Sequence, residues 1–321
     1  MSAVGAEREG AVDAERMGAV DDARVRAVVV AWRPDPDRFA ALLAALLPQV
    51  DAAVLVDNGG GAGLERVRDD ARIERIDLQR NAGVAAAQNA GIARALERGA
   101  THVLLVDHDS IPAPDMVERL LQAMRQLEGR GERVAAVGAD YRDARHAEAS
   151  PFVSMGWWGF RRVSGTTGAP VPVDFLISAG SLLSARALVE LGRMDERLFI
   201  DYVDVEWCLR ARRAGWRCWG VPGARLDHHL GDAPLAVGGR RLRWHGRSVA
   251  ERSPQRHYFL FRNGCWLVLH GALPLRWKLL ESKRLATAFA AFALFARPRG
   301  AQIGAMARGA LDGLRGRMGP A

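Results

Sequence analysis

Four short apolar runs constrain this chain more than any other feature. They are VRAVVVAW at 25–32, AAVLV at 52–56, HVLLV at 102–106 and VAAVGA at 134–139. None alternates apolar with polar residues, so each reads as a strand buried on both faces. A weaker run at 73–78 reads as a further strand. Helical patterns fill the intervals: RFAALLAALLPQV after a Pro/Asp turn, with Asp37 placed to cap it, an Ala-rich stretch at 84–98, and 115–127. Strands alternating with helices predict an α/β fold, a mostly parallel central sheet flanked by helices.

In such sheets ligands bind beyond the carboxyl ends of the strands. That rule selects Asp57 and Asn58 after the second run, and Asp107, His108 and Asp109 after the fourth strand. No GxGxxG follows the first strand and no GxxxxGK[ST] occurs, so dinucleotide and P-loop sites are disfavoured. Beyond residue 140 the pattern loosens. A loop or hairpin at 141–172 carries Trp157 and Trp158, 175–184 (FLISAGSLLS) reads as a strand leading into a helix, and 203–214 reads as an amphipathic helix.

Half of the 321 residues are apolar, enough for a sizeable core. The three cysteines, Cys208, Cys218 and Cys265, form no disulfide framework and are expected to be reduced. The longest apolar run, 285–296, is too short to span a membrane, and the first sixteen residues carry charges where a signal peptide needs an apolar stretch. A cytoplasmic location follows as an expectation, with 1–24 a flexible tail. The net charge of +8 is unevenly placed: between Arg240 and Ala321, sixteen Lys/Arg face three Asp/Glu. Basic residues beside Trp244, Trp266, Trp277 and an apolar helical stretch suit the anionic face of a membrane. A solvated arginine-rich surface is the plainer reading, and no nucleic-acid signature supports a third.

Four strings carry chemistry. Asp107 and Asp109 flank one residue at a strand end, where unpaired carboxylates are costly. Mg²⁺ or Mn²⁺ would satisfy them, and so would turn capping by Asp109. NAGVAAAQNAGI, residues 81–92, offers a small-residue helix whose start could bind an anion or could simply pack closely. In FIDYVDVEWCLR, residues 199–210, Asp201, Asp204 and Glu206 sit near a helix N-terminus. The dipole favours them there, and one could act as a general base. Asp227-His228-His229 follows an apparent strand and could complete a metal shell.

Taken in order, DN, RNAGVAAAQNAGI, DHDS, FIDYVDVEWCLRARRAGW and HHLGD resemble the inverting nucleotide-sugar glycosyltransferases of family 2, which have the GT-A fold. VDFLISAGSLLS and DERLFIDYVDVEWCLRARRAG are especially similar to bacterial rhamnosyltransferases that use dTDP-L-rhamnose. The resemblance spans residues 25–232, and more weakly reaches 265. It implies a catalytic domain over 25–235, with a nucleotide-binding half (25–140) and an acceptor half (141–235). A basic, mainly helical region at 236–321 would contact a membrane surface or a second copy.

The resemblance also implies roles. Asp57 would read the base, with Asn58, Ala31 and Arg33 beside the nucleotide. Asn81 and Gly83 would start the helix bordering it. Asp107 and Asp109 would form a DxD motif, with His108 between them and Asp109 the stronger metal ligand. His228, from an HxxG motif, would be a further ligand, with His229 the fallback. Asp204 would be the catalytic base, supported by Glu206, although Val203 stands where Glu is usual. Gly180 and Ser181 would lie near the donor sugar. Arg262 would face a donor or lipid phosphate or make a structural ion pair. Trp157 and Trp158 would stack on an acceptor or form a packed hairpin. The implied partners are dTDP-L-rhamnose, a lipid-linked saccharide of the cell envelope and the cytoplasmic face of the membrane, with no nucleic acid. A UDP-hexose or UDP-galactofuranose donor would keep the same fold. A sugar nucleotidyltransferase lacks its Gly- and Lys-bearing loop here, and a non-catalytic partner is opposed by the intact carboxylate set.

Overall fold

A computed structural model describes residues 23–320, except 61–63, 65–66, 68–69, 144–151, 164–167, 229–235, 238–239, 242, 245–246 and 249–251. The expected tail thus falls almost wholly outside the described residues, as does His229.

Strands β1 (Val25–Ala31), β2 (Ala52–Asp57), β3 (Ile73–Asp77) and β4 (His102–Asp107) run parallel in the order β3-β2-β1-β4. The sheet continues through β10 (Ser181–Ser184), antiparallel to both neighbours, then β6 (Val134–Asp143) and β11 (Arg217–His228), which are parallel to each other. Short β5 (Ser110–Pro112) and β9 (Val171–Val173) pair antiparallel with β11. A separate hairpin joins β7 (Phe152–Met155) to β8 (Phe160–Val163). The strand expected over 175–184 is confined to its last four residues. The residues before it form the turn that reaches the site.

Alternation along the buried strands divides two cores. Val28, Val30, Val54 and Val56 face α2 (Val84–Glu97), α4 (Ala185–Leu191) and α5 (Val203–Arg213). Val25, Ala27, Val29 and Leu55 face α1 (Pro36–Leu46) and α3 (Met116–Gly129). Asp35 caps α1, its carboxylate accepting from the Arg38 N–H, and Asp37 lies in the first turn. Pro36 supplies the preset φ of a first helical residue, and the cap falls on Asp35, two residues earlier than expected. The small residues of α2 pack on the sheet. A Cβ on Gly91 would lie 2.3 Å from Val28 Cγ1, so the close-packing reading of that string holds.

The helical region after 235 comprises α6 (Pro254–Leu269), α7 (Leu275–Phe295) and α8 (Arg299–Leu314). Its Leu260, Phe261, Trp266, Leu267, Trp277 and Met306 belong to the same core as α2 and α5 rather than to one of their own. Cys208 and Cys218 are buried and free, as expected of reduced thiols. Among the described residues no helix is long and apolar enough to cross a membrane.

Candidate active site

The carboxyl edge of the parallel strands gathers the predicted nucleotide residues. β1 lies between β2 and β4, so Ala31 pairs in register with Asp57, and Val30 with Asp107. The Asp57 carboxylate accepts from the Gly60 N–H at 2.9 Å and closes the turn after β2. Gly60 in turn sits against the Trp32–Arg33 backbone, where a Cβ would lie 2.4 Å from Arg33 N. Arg33 is exposed and its guanidinium stands 5.2 Å from the Trp32 ring centroid. The Ala31 side chain is fully buried, so at this edge it offers only backbone.

Asn58 and Asn81 serve each other. Asn58 Nδ2 donates to Asn81 Oδ1 at 3.2 Å, the Ala82 N–H donates to Asn58 Oδ1, and the Gly83 N–H donates to Asn81 Oδ1. The start of α2 is therefore not an open anion site. The Val84 and Ala85 N–H groups both donate to the Phe199 carbonyl, at 2.7 and 3.4 Å. Gly83 is required there. Its φ is +90°, and a Cβ would sit 2.5 Å from the Phe199 ring. These contacts bring Phe199, and with it the segment that leads to Asp204, up against the start of α2.

β4 ends at Asp107, His108 and Asp109 form a turn, and Ser110 begins β5. Backbone register places His228 of β11 opposite Ser110. All three predicted metal-binding positions thus converge at one strand end. Among the described residues no group of three or more His, Cys, Asp or Glu is arranged around one metal. The two carboxylates nonetheless fit a hard divalent cation, which keeps water and phosphate oxygens and needs one or two protein carboxylates.

Asp204 lies in the first turn of α5. Its carboxylate accepts from the Val205 N–H at 2.8 Å and the Ser178 N–H at 3.3 Å. Burial pushes its pKa up to about 6. The two N–H bonds oppose that rise, and the negative charges of Asp201 and Asp107 add to it. Asp107 and Asp204, on different elements, therefore sit within electrostatic reach of each other.

Other expected roles change. Glu206 is bound to Arg210 one turn on, at 2.9 Å through both nitrogens, so it braces α5 instead of supporting the base. Gly180 packs its α-carbon against Leu226 and Ala139, and the buried Ser181 hydroxyl donates to the Ile177 carbonyl at 2.5 Å. The turn they belong to reaches Asp204 through Ser178. Arg262 meets no phosphate-facing surface. It is 1% exposed and donates to the carbonyls of Arg197, Leu198 and Gly319, because α6 packs directly beneath the 197–202 loop. Trp157 and Trp158 form the exposed tip of the β7–β8 hairpin, whose base packs through Phe152.

Phe199 and Tyr202, which sequence reading missed, lie in this support, and Asp201, a candidate base by sequence, takes a structural role there. Phe199, Asp201 and Tyr202 all have φ near +60°, uncommon for non-glycine residues. Asn263 Nδ2 donates to the carbonyls of Leu198, Ile200 and Asp201 at 2.6, 2.7 and 3.1 Å. Arg256 clamps the Asp201 carboxylate through two nitrogens, at 3.0 and 3.1 Å. The Tyr202 hydroxyl donates to Glu281 and accepts from Arg284. Nothing in the sequence of α6 announced which loop it would hold.

A mostly parallel sheet with carboxylates at its strand ends, beside a partly buried carboxyl, is an arrangement that suits a nucleotide-sugar transferase of the GT-A fold. The comparisons agree. Residues 23–247 match the model of "Glycosyltransferase like family 2", and the chain belongs to that family. It is 31% identical over 258 residues to the dTDP-rhamnosyl transferase RfbF of Shigella flexneri, covering 79% of this chain and 83% of that protein. It is 25% identical over 289 residues to an N-acetylglucosaminyl-diphospho-decaprenol L-rhamnosyltransferase of Mycobacterium tuberculosis, covering 80% and 93%. Among solved structures, GalNAc-T7 with UDP, GalNAc and Mn²⁺ aligns with a TM-score of 0.55 at 12% identity, over 85% of this chain and 57% of that one. S. aureus TarS 1–349 with UDP-GlcNAc aligns at 0.53 and 14%, over 91% and 81%. The protein is a glycosyltransferase that takes its sugar from a nucleotide donor.

Proposed function

We propose that the protein transfers L-rhamnose from dTDP-L-rhamnose, with inversion, to a hydroxyl of a lipid-linked saccharide in cell-envelope polysaccharide synthesis, at the cytoplasmic face of the membrane. The observation that carries the reaction is Asp204: a partly buried carboxyl in the first turn of α5 with a pKa of about 6, within electrostatic reach of Asp107. Likeness to two rhamnosyltransferases supports the donor, and the decaprenol-linked substrate named for one of them supports the acceptor class.

In this reading Asp57 and the Trp32–Arg33 loop border the base, and Asp107 and Asp109 would hold a divalent cation, with His228, opposite Ser110 in register, as the further ligand position. When bound there, a cation would supply positive charge for the diphosphate leaving group. Asp204, ionised at neutral pH, accepts the proton of the acceptor hydroxyl. The hydroxyl oxygen bonds the anomeric carbon from the face opposite the diphosphate, and the carbon–oxygen bond to dTDP breaks. A single displacement inverts the anomeric configuration and needs no enzyme nucleophile.

Calorimetric titration with dTDP and UDP, each with and without Mn²⁺, tests the donor. Metal-dependent binding that favours dTDP, followed by rhamnosyl transfer to a lipid-linked acceptor, supports the proposal. Preference for UDP moves the donor to a UDP-sugar.

A further inference from the structure

The β7–β8 tip presents two indoles to solvent, Trp157 at 85% and Trp158 at 88% exposure. Neither packs into the core. Instead, the first turns of α7 hold the tip. Arg276 Nε donates to the Gly156 carbonyl at 3.1 Å while its guanidinium covers the Trp157 ring at 4.9 Å, and Lys283 Nζ donates to the Trp158 carbonyl at 3.3 Å. Arg276 and Lys283 are two helical turns apart on one face of α7, with exposed Leu279 between them and exposed Leu275 beside them. The surface is therefore aromatic and aliphatic at its summit and cationic around it. Exposed Arg161 on β8 adds to the charge of the hairpin, and no Asp or Glu occurs between residues 152 and 173.

We infer that the Trp157–Trp158 tip and the first turns of α7 form an anchor for an anionic phospholipid surface. Indole rings suit the headgroup boundary, where an apolar ring meets water, and each basic side chain close to an anionic leaflet adds attraction. A second copy of the chain fits less well, because the cationic rim would face itself. The same helix turns its opposite side to the catalytic loop: Glu281 and Arg284 bind Tyr202, two residues before Asp204. An anchor on α7 would thus set the base at the level of an acceptor carried on a lipid. This placement rests on the proposed acceptor class.

The test is flotation of the full chain with vesicles of phosphatidylcholine alone or mixed with phosphatidylglycerol, with no donor or acceptor present. The protein should float with the anionic vesicles, stay behind with the neutral ones, and be released by about 0.5 M NaCl. W157S/W158S should lower the bound fraction about tenfold or more, since ring burial drives the partition. R276Q/K283Q should flatten the dependence on anionic lipid. Circular dichroism melts check that the variants fold. No flotation of the wild type, or flotation unchanged in W157S/W158S, overturns the inference. So does a W157S/W158S variant that alters the sedimentation coefficient without altering flotation, which assigns the face to a second copy. Donor titration is separate, so a failed flotation leaves the transfer reading standing, and the reverse also holds.

Discussion

Asp204 carries two opposed demands. Its burial raises the pKa from 3.8 to about 6, so the native state holds the proton more tightly than the unfolded chain. Stability contributed by the protonated form is lost as pH rises from about 4 through about 6, and the cost persists above that window. In the proposed role activity runs the other way, because a base must be ionised, so kcat should climb through an apparent pKa near 6 and level off above it. Asp204→Asn keeps an oxygen for the Val205 and Ser178 N–H groups but removes the charge. We expect kcat to fall by about 10²–10⁴, the usual worth of a general base, with dTDP affinity unchanged. The same variant should unfold at higher urea at pH 7, by on the order of 2 kcal/mol, and show no gain at pH 4. An intact kcat would remove Asp204 from the chemistry. Asp109→Ala addresses the other carboxylate. Metal-dependent dTDP binding should vanish in calorimetry while any metal-independent binding stays, and unchanged Mn²⁺ dependence would refute its role as a ligand.

Elements decide where that carboxylate stands. The 199–202 loop holds three non-glycine residues at positive φ, a conformation that persists only when surroundings fix it. Phe199 is fixed from α2, whose first N–H groups take its carbonyl, and the rest of the loop is fixed from α6 and α7. Asn263→Ala removes one amide from three carbonyls at once. Those carbonyls lie beside the residue before α5, so the base should drift by a fraction of an ångström to an ångström. Displacements of that size cost up to about 10²-fold in rate. We expect kcat to fall about 10–100-fold with the Kd for dTDP unchanged, since the nucleotide edge is built from β1, β2 and β4. Loss of dTDP binding would show instead that Asn263 holds the whole fold. The DHDS and FIDYVDVEW strings were readable because their residue types suit the chemistry at the end of a strand and the start of a helix. The partnership of Asn58 with Asn81 was not, because 23 residues separate them and only the folded turn makes them neighbours. Arg262 misled for a related reason: a guanidinium suits a phosphate and a set of backbone carbonyls equally well, and burial alone tells them apart.

The molecule as a whole is less divisible than its sequence suggests. The alternating αβ text of residues 25–139 predicted the parallel half of the sheet, down to the strand ends that carry Asp57 and Asp107. The sequence marks a strand within 175–184, but nothing in it signals that β10 inserts antiparallel between β4 and β6; that placement arises from long-range pairing. The basic C-terminal quarter looked like an appendage because charge dominates its composition, yet one set of its apolar residues faces inward, while Leu275 and Leu279 stay exposed. Leu260, Phe261, Trp266, Leu267 and Trp277 are buried in the core that also holds Trp207 and Leu198. Burial of such side chains stabilises by about 1.5–3 kcal/mol each, so the five together contribute on the order of 10 kcal/mol. That equals the whole net stability of an ordinary domain, roughly 5–15 kcal/mol. A chain ending before Pro254 would expose that core face and also lose the Arg256 and Asn263 clamps. We expect it to be insoluble or to lack a cooperative thermal transition, rather than to behave as a soluble catalytic domain. A truncated chain that melts cooperatively and binds dTDP would show that α6–α8 only cover the catalytic body and that the 199–202 loop holds its shape alone.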